Sequence, residues 1–274
     1  MEEKTAFKFP KATWRLIDDQ AYPVQLGLAI DDALFESMDR PEFVGSNVVR
    51  FYQFSPPSVV VGCHQDIKEI DTGYVQERGL QVGRRITGGG AIIMGVPTAD
   101  AQLGISVVVR NPPGFPVKMG GKYAVLSRAI VTGLDRLGLK VKYQQNSDIT
   151  MNDKKITGQA MLATSTLTFL HSTITIDYDL DTILRVMKIV PDKETLGRFK
   201  GKFTTIKEHV QTITMSALKK ALVAGFEKEY NARLEARGID DGEMQQARKL
   251  LAEKHSTPGY IYNLDGTAMG SCFL

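Results

Sequence analysis

Cysteine is nearly absent from this chain. Its 274 residues include only Cys63 and Cys272, too few and too far apart for a disulfide framework, and a reducing cytoplasm is the compartment they fit. There are four histidines, and no Cys or His pair has zinc-ligand spacing, so no structural metal centre is expected. No apolar run approaches the roughly 20 residues of a membrane span. The charged start Met1-Glu2-Glu3-Lys4 has no apolar stretch behind it, so no signal peptide is expected. A dominant charge is missing too. The 34 basic residues face 31 acidic ones, for a net charge of +3, which gives no reason to expect a nucleic-acid or membrane partner. Internal repeats and low-complexity tracts are also absent.

What is present is a globular composition, 43% apolar and 24% charged, in a chain long enough to bury a sizeable core. Trp14-Arg15-Leu16-Ile17 centres a first strand, and Pro23 opens a helix in which Leu26, Ile30, Leu34 and Met38 recur at i+4 steps. Asp31, Asp32 and Glu36 lie near its other side, where a solvated face is expected. Asn47–Phe54 and Ser58–Gly62 read as a hairpin or two neighbouring strands. Ile70–Arg78 reads as a short helix, Gln102–Val109 as a strand and Lys122–Leu137 as a helix capped at Gly138. Strands are expected at 140–143, 148–151, 155–158 and 166–176. Helices are expected at 180–189, 214–233 and 241–253, and an aperiodic tail from Gly259. Strands with helices in irregular order predict an α+β fold, a mixed and mainly antiparallel sheet with helices on one face. Residues 1–239 are expected to form the main domain and 240–274 a C-terminal helix and tail.

Two segments can carry chemistry. In Arg84-Arg85-Ile86-Thr87-Gly88-Gly89-Gly90-Ala91, three consecutive glycines stand between an incoming strand and an outgoing one. Glycine there either makes a backbone cradle for an acyl group or phosphate, flanked by fixed positive charge, or makes a plain hairpin turn with solvated arginines. In Asn146-Ser147-Asp148-Ile149 and Lys154-Lys155-Ile156-Thr157-Gly158, a lysine beside a glycine can reach into a groove as a point charge, and Asp148 can hold Mg²⁺ through one oxygen. A surface hairpin with an ordinary lysine pair is the competing explanation.

Taken together and in order, these segments resemble the lipoate–protein ligase A family, within the larger group of biotin and lipoate ligases and octanoyl transferases. The resemblance runs from the first helix to about Tyr262. Gly27-Leu28-Ala29-Ile30-Asp31-Asp32 is similar to the family's Asn-x-Ala-x-Asp-Glu helix, with Gly27 at the asparagine position. Arg50-Phe51-Tyr52 and Val60-Val61-Gly62-Cys63-His64-Gln65 resemble its next two strands. Residues 84–92 resemble its lipoyl-binding loop. Ser147-Asp148-Ile149 with Lys155-Ile156-Thr157-Gly158-Gln159-Ala160 resembles its lysine hairpin, and His171-Ser172-Thr173 a following strand.

The resemblance implies a biotin/lipoate ligase-like catalytic domain, binding lipoyl and adenylate groups, over residues 1–239, with 240–274 too short for the full accessory domain of the family's single-chain ligases. It further implies an enzyme that activates lipoate with ATP to lipoyl-AMP and passes the lipoyl group to a carrier-domain lysine. Lys155 would be the catalytic residue. Arg84, Arg85, Thr87, Gly88, Gly89, Gly90, Ala91, Asp148, Thr157, Gly158 and His171 would bind substrate and nucleotide, with Asp148 orienting Mg²⁺. Taken alone, His171 reads as a satisfied strand histidine, and His209 and His255 as surface residues. The implied partners are a lipoyl carrier domain, such as that of a dehydrogenase-complex acyltransferase subunit or a glycine-cleavage carrier protein, and a small accessory ligase subunit. Met94 and Gly95 stand where the family has His and Asp, in the loop that meets nucleotide in relatives. Transferase relatives attack a carrier thioester with a cysteine, for which Cys63 and Cys272 are the candidates. Cys63 and His64, as strand neighbours, point apart. A cysteine-dependent octanoyl or lipoyl transferase and a non-catalytic carrier-binding relative therefore stand as alternatives.

Overall fold

The computed structural model describes residues 7–38, 47–144, 147–210 and 212–262. Strand β1 (Ala12–Asp18) and helix α1 (Val24–Ser37) precede strands β2 (Val48–Tyr52) and β3 (Ser58–Val61). Helix α2 (Thr72–Glu77) leads into β4 (Gln81–Arg84), the glycine segment and β5 (Ile92–Met94). Next come β6 (Gln102–Arg110), α3 (Met119–Asp135), β7 (Val141–Gln144), β8 (Asp148–Met151), β9 (Lys154–Ala163) and β10 (Leu167–Thr175). The remaining elements are α4 (Leu180–Val186), α5 (Lys193–Lys202), α6 (Met215–Glu229), β11 (Ala232–Ala236), α7 (Asp241–Leu250) and, after a π-helical turn over Leu251–His255, α8 (Pro258–Tyr262).

Eight strands form one sheet in the order β11-β1-β2-β6-β10-β9-β8-β7, and three form a second in the order β4-β3-β5. In the large sheet β1 runs parallel to β11 and β2, and every other pair is antiparallel. This is the expected mixed, mainly antiparallel α+β architecture.

Several local expectations are corrected. Helices cover both faces of the large sheet, not one. Leu103, Ile105, Val107 and Val109 of β6 pack with Leu126, Ile130, Leu222 and Phe226 of α3 and α6. Val108, pointing the other way, packs with Ile30 and Leu34 of α1 and Ala247 of α7. A strand buried on both sides reads as a continuous apolar run, which Val107-Val108-Val109 is. Strands β2 and β3 are not a hairpin, because they belong to different sheets. Nor do β4 and β5 pair with each other across the glycines, because β3 lies between them, parallel to β4 and antiparallel to β5.

The expected helix over 214–233 ends at Glu229, and Ala232–Ala236 becomes an edge strand on β1. Helix α5 was not expected, although Asp192 caps it by accepting from Thr195 N at 2.8 Å, an N-terminal signal the sequence does carry.

The largest correction concerns helix α1. It is wedged between the two sheets, with Val24 and Leu28 against Val60 and Met94 of the small one and Ile30 and Leu34 against the large one. Asp31 and Asp32 are therefore 1% and 3% exposed, not on a solvated face. His255, expected at the surface, is buried against Asp32. Packing also runs across the expected boundary at residue 239. Arg15 of β1 makes a two-pronged buried ion pair with Glu243 of α7, both contacts at 2.6 Å, so α7 packs into the same fold as β1.

Candidate acyl-binding site

A cavity of about 260 Å³ opens between the glycine segment and the β8–β9 hairpin. Its apolar wall includes Leu28, Val60, Ile92 and Ala160, supplied by α1, the small sheet and β9 respectively. Of the residues expected at the site, Arg85, Gly89, Gly90, Asp148, Lys155, Gly158 and His171 lie on this wall. Arg84, Thr87, Gly88, Ala91 and Thr157 do not, and Thr87 supports the wall from behind through His171.

The glycine segment is held from below. Gly62, at the end of β3, lies so close that a Cβ built on it would stand 1.9 Å from Gly89 O, so only glycine lets the loop rest there. Arg85, 5% exposed, donates from Nη2 to Gly88 O at 2.6 Å and Gly90 O at 2.9 Å, and from Nη1 to Val60 O at 3.1 Å. Burial pushes its pKa down to about 10, so it stays cationic at neutral pH. Gly89 has φ +90°, a backbone region that glycine enters without penalty. The arginines are thus not solvated, and the turn is not a plain hairpin.

Arg84 is a correction to the expected lining. It is fully buried and turns away from the cavity. Its guanidinium donates to the carbonyls of Gly62 at 2.7 Å, Gln65 at 2.8 Å, Tyr260 at 2.9 Å and Ile261 at 3.1 Å.

A buried hydrogen-bonded chain ties the loop to helix α1. Thr87 Oγ1 meets His171 Nδ1 at 2.9 Å, and His171 Nε2 meets Asp31 Oδ2 at 2.9 Å. Asp31 Oδ1 accepts from Arg50 at 2.7 Å, and Arg50 Nε reaches Asp19 at 2.6 Å. A carboxylate beside Nε2 selects the tautomer that carries its proton there, leaving Nδ1 to accept from the Thr87 hydroxyl. Burial pushes the Asp31 pKa up, but the Arg50 charge and the His171 contact outweigh it and leave the carboxyl below its ordinary value. Both His171 nitrogens are engaged, so this residue positions the wall. Asp31, Arg50 and Gly62 were missed as site residues. The place of Asp31 inside the matched helix motif and the glycine ending a Val-Val-Val strand were the available signals.

The opposite wall carries the charge. Lys155 Nζ lies 2.7 Å from Asp148 Oδ1, each side chain about a third exposed. Strands β8 and β9 shift register between Ile149 and Thr150, and such an irregularity re-aims side chains. Gly158 makes room, since a Cβ there would sit 3.3 Å from Lys155 Cε. Asn146 and Cys272 lie outside the described residues. Cys63 is buried and off the cavity wall, its N–H donating to Thr87 O at 3.0 Å, whereas His64 is exposed. Among the described residues no cysteine lines the cavity.

The departures from the family pattern have structural partners. A Cβ on Gly27 would stand 2.5 Å from Phe54 Cε1, so that ring fills the space an asparagine would need. Met94 is buried in the cluster under α1. Gly95, at φ +82°, donates to Gln102 Oε1 at 2.8 Å, and Gln102 in turn donates to Asp177 O at 2.8 Å.

Residues 23–227 match the lipoyl protein ligase A/B catalytic domain, a span that contains every residue of the cavity wall. The octanoyltransferase LipM of Moorella thermoacetica is 27% identical over 271 residues, covering 89% of this chain and 96% of its own length. LipM of Bacillus subtilis is 27% identical over 282 residues, with coverages of 92% and 99%. A bipartite lipoate protein ligase of Thermoplasma acidophilum, studied with its E2 lipoyl domain, superposes with a TM-score of 0.80 at 24% identity over 93% of this chain and 97% of that one. A lipoate-protein ligase A bound with ATP superposes with a TM-score of 0.79 at 23% identity, covering 93% of this chain and all of its own. At these identities the superpositions establish the fold, and the domain match establishes the lineage. The chain belongs to the lipoyl protein ligase A/B catalytic domain family, enzymes of lipoate and octanoyl transfer.

Proposed function

We propose that the protein is an ATP-dependent lipoate–protein ligase: it joins a lipoate-type acyl acid to AMP and passes the acyl group to a lysine of a carrier domain. The observation that carries this reading is Lys155, held by Asp148 at the cavity mouth opposite the glycine cradle, in a cavity with no cysteine on its described wall. The cavity is slightly smaller than the roughly 300 to 1,000 Å³ typical of drug-sized ligands, which suits one medium-chain acyl group. A nucleotide then extends past the mouth, beside Gly88, which is off the cavity wall and would meet nothing within 4 Å of an added Cβ. Asp148 suits magnesium only in the company of phosphate oxygens and water, since among the described residues no three acidic, His or Cys groups gather to hold a metal.

In the first half-reaction the acyl carboxylate attacks the α-phosphorus of ATP and pyrophosphate leaves. The Lys155 ammonium faces the negative charge that develops, and its bond to Asp148 fixes that ammonium beforehand. Leu28, Val60 and Ile92 hold the chain and exclude water. In the second half-reaction the neutral carrier amine attacks the acyl carbonyl, AMP departs, and an amide forms. No protein nucleophile is required. The resemblance of the fold to a bipartite ligase supports an accessory subunit and a lipoyl domain as partners.

The octanoyltransferase relatives favour a second reading, acyl transfer from a carrier thioester through Cys63 or Cys272. One assay separates the two. The protein is incubated with lipoate or octanoate, ATP and Mg²⁺, with and without an accessory subunit, or with an octanoyl-carrier thioester, and modification of a lipoyl domain is followed with pyrophosphate release. The ligase reading expects ATP-dependent modification that survives Cys63→Ser and falls by about 100-fold or more in Lys155→Ala. Modification from the thioester alone, lost on replacing either cysteine, refutes it.

A further inference from the structure

Two pairs of consecutive residues divide their contacts in the same way. Asp31 bonds His171 and Arg50 behind the cavity, while Asp32, next to it on α1, bonds Lys254 at 2.9 Å and His255 at 2.8 Å. Arg85 holds the glycine-loop carbonyls, while Arg84, next to it on β4, holds those of Tyr260 and Ile261. The C-terminal partners of Asp32 and Arg84 all lie within 251–262, and no residue of that segment reaches the cavity wall.

The segment is shaped for this. Ser256 N donates to Leu251 O at 2.9 Å, a span of five residues, and the widened π turn brings consecutive Lys254 and His255 onto one carboxylate oxygen. Such turns recur at functional positions. Tyr260 packs edge-on against His255 at 5.2 Å, with Lys254 over its ring at 5.0 Å. Asp32 and His255 are 3% and 1% exposed. A buried carboxylate so partnered holds its neighbours firmly, because releasing one leaves charge without compensation.

We infer that residues 251–262 act as a strap that positions the acyl cradle, with His255 and Arg84 as positioning residues. His255 fixes α1 through Asp32, and with it the Asp31–His171–Thr87 side of the wall. Arg84 fixes β4, and with it the side formed by Arg85 and Gly90. The inference rests on the acyl-cradle reading of the cavity, so one arm of the test is independent of turnover.

The test compares His255→Leu, which keeps bulk and loses the donor, with His255→Gln, which keeps a donor. Acyl transfer is measured against acyl-acid concentration, and hydrogen–deuterium exchange is followed in residues 86–91. The leucine variant is expected to raise KM for the acyl acid by about tenfold, with kcat within about twofold, the loss of one hydrogen bond to a charged group. Glutamine restores most of it, and only leucine speeds exchange at 86–91. A purely local role would leave KM and the exchange at 86–91 as in the unaltered protein, and that result overturns the inference. Should the leucine variant fail to fold, Asp32→Asn is read in the same way. Should the unaltered protein turn over no acyl acid, the ligase reading fails, and the exchange comparison alone decides the strap: faster exchange supports it and equal exchange refutes it.

Discussion

The closest backbone approach in the site yields the sharpest perturbation. Gly62→Ala places a methyl carbon 1.9 Å from Gly89 O, 3.0 Å from Gly89 C and 3.3 Å from Gly88 C. All three are backbone atoms, so no side-chain rotation relieves the clash, and the first contact is roughly 1.5 Å short of a normal one. The glycine loop must lift off β3, stretching the bonds from Arg85 to Gly88 O and Gly90 O. Overpacking of this kind costs about 1–3 kcal/mol, which in a chain of this length lowers Tm by about 2–10 °C. Gly90→Ala is the matched control. It meets nothing within 4 Å and Gly90 has no positive φ, so the loss of unfolded-chain freedom is expected to stabilise by about 0.4–1 kcal/mol. Gly90 is nevertheless on the cavity wall, and its methyl intrudes on the acyl chain. Thermal melts and titration calorimetry with lipoate or octanoate should therefore show Gly62→Ala losing both stability and binding, and Gly90→Ala losing binding alone. A Gly62→Ala protein with unaltered Tm and affinity refutes the close approach and the cradle built on it.

Three further outcomes follow from the same geometry. Gly27→Asn is expected to destabilise by about 1–3 kcal/mol through its clash with Phe54, and in a denaturant double-mutant cycle a smaller residue at 54 should relieve part of that loss. Thr87→Val removes the hydroxyl facing His171 Nδ1 and should cost about 1 kcal/mol with a raised KM for the acyl acid; unchanged kinetics would remove Thr87 from the wall's support. The Asp32 carboxyl lies below its ordinary value, because the His255 and Lys254 contacts outweigh the opposing effect of burial. The unfolded chain therefore takes up this proton first, so the carboxylate contributes stability above about pH 4 that is lost as pH falls through the folded value. Melts across the acid range should show Asp32→Asn with a shallower acid limb and a lower plateau, and an identical limb would contradict the assignment.

The periodicity that predicted α1, α3 and the antiparallel strands was legible because each has one dominant apolar pattern. Helix α1 misled where it is packed on more than one side. Asp31 and Asp32 lie off its apolar stripe, and their partners His171, Lys254 and His255 lie far along the chain, beyond the reach of any local pattern. Strand β11 was hidden for a related reason. Ala232–Ala236 extends a helical sequence, and only pairing with β1 makes it extended. Lys155, Asp148 and the glycine loop were recognisable as an ordered set of motifs, but not which arginine faces the cavity. Arg84 and Arg85 differ only in which backbone carbonyls the fold offers each of them.

The pairing of β1 with β11, with Ala12 opposite Ala232, has a consequence for how the molecule is made. Synthesis delivers α1 and both of its aspartates early, yet Lys254 and His255 leave the ribosome more than 200 residues later. Until then Asp32 has no C-terminal cation, β1 has an open edge, and the carbonyls that Arg84 takes from Tyr260 and Ile261 do not yet exist. Contacts between such distant residues form late, because a long loop must close before they are made. The contacts that Asp32 and Arg84 make with residues 254–261 therefore cannot form until nearly the whole described chain has been made, although the residues of the cavity wall end at Thr173.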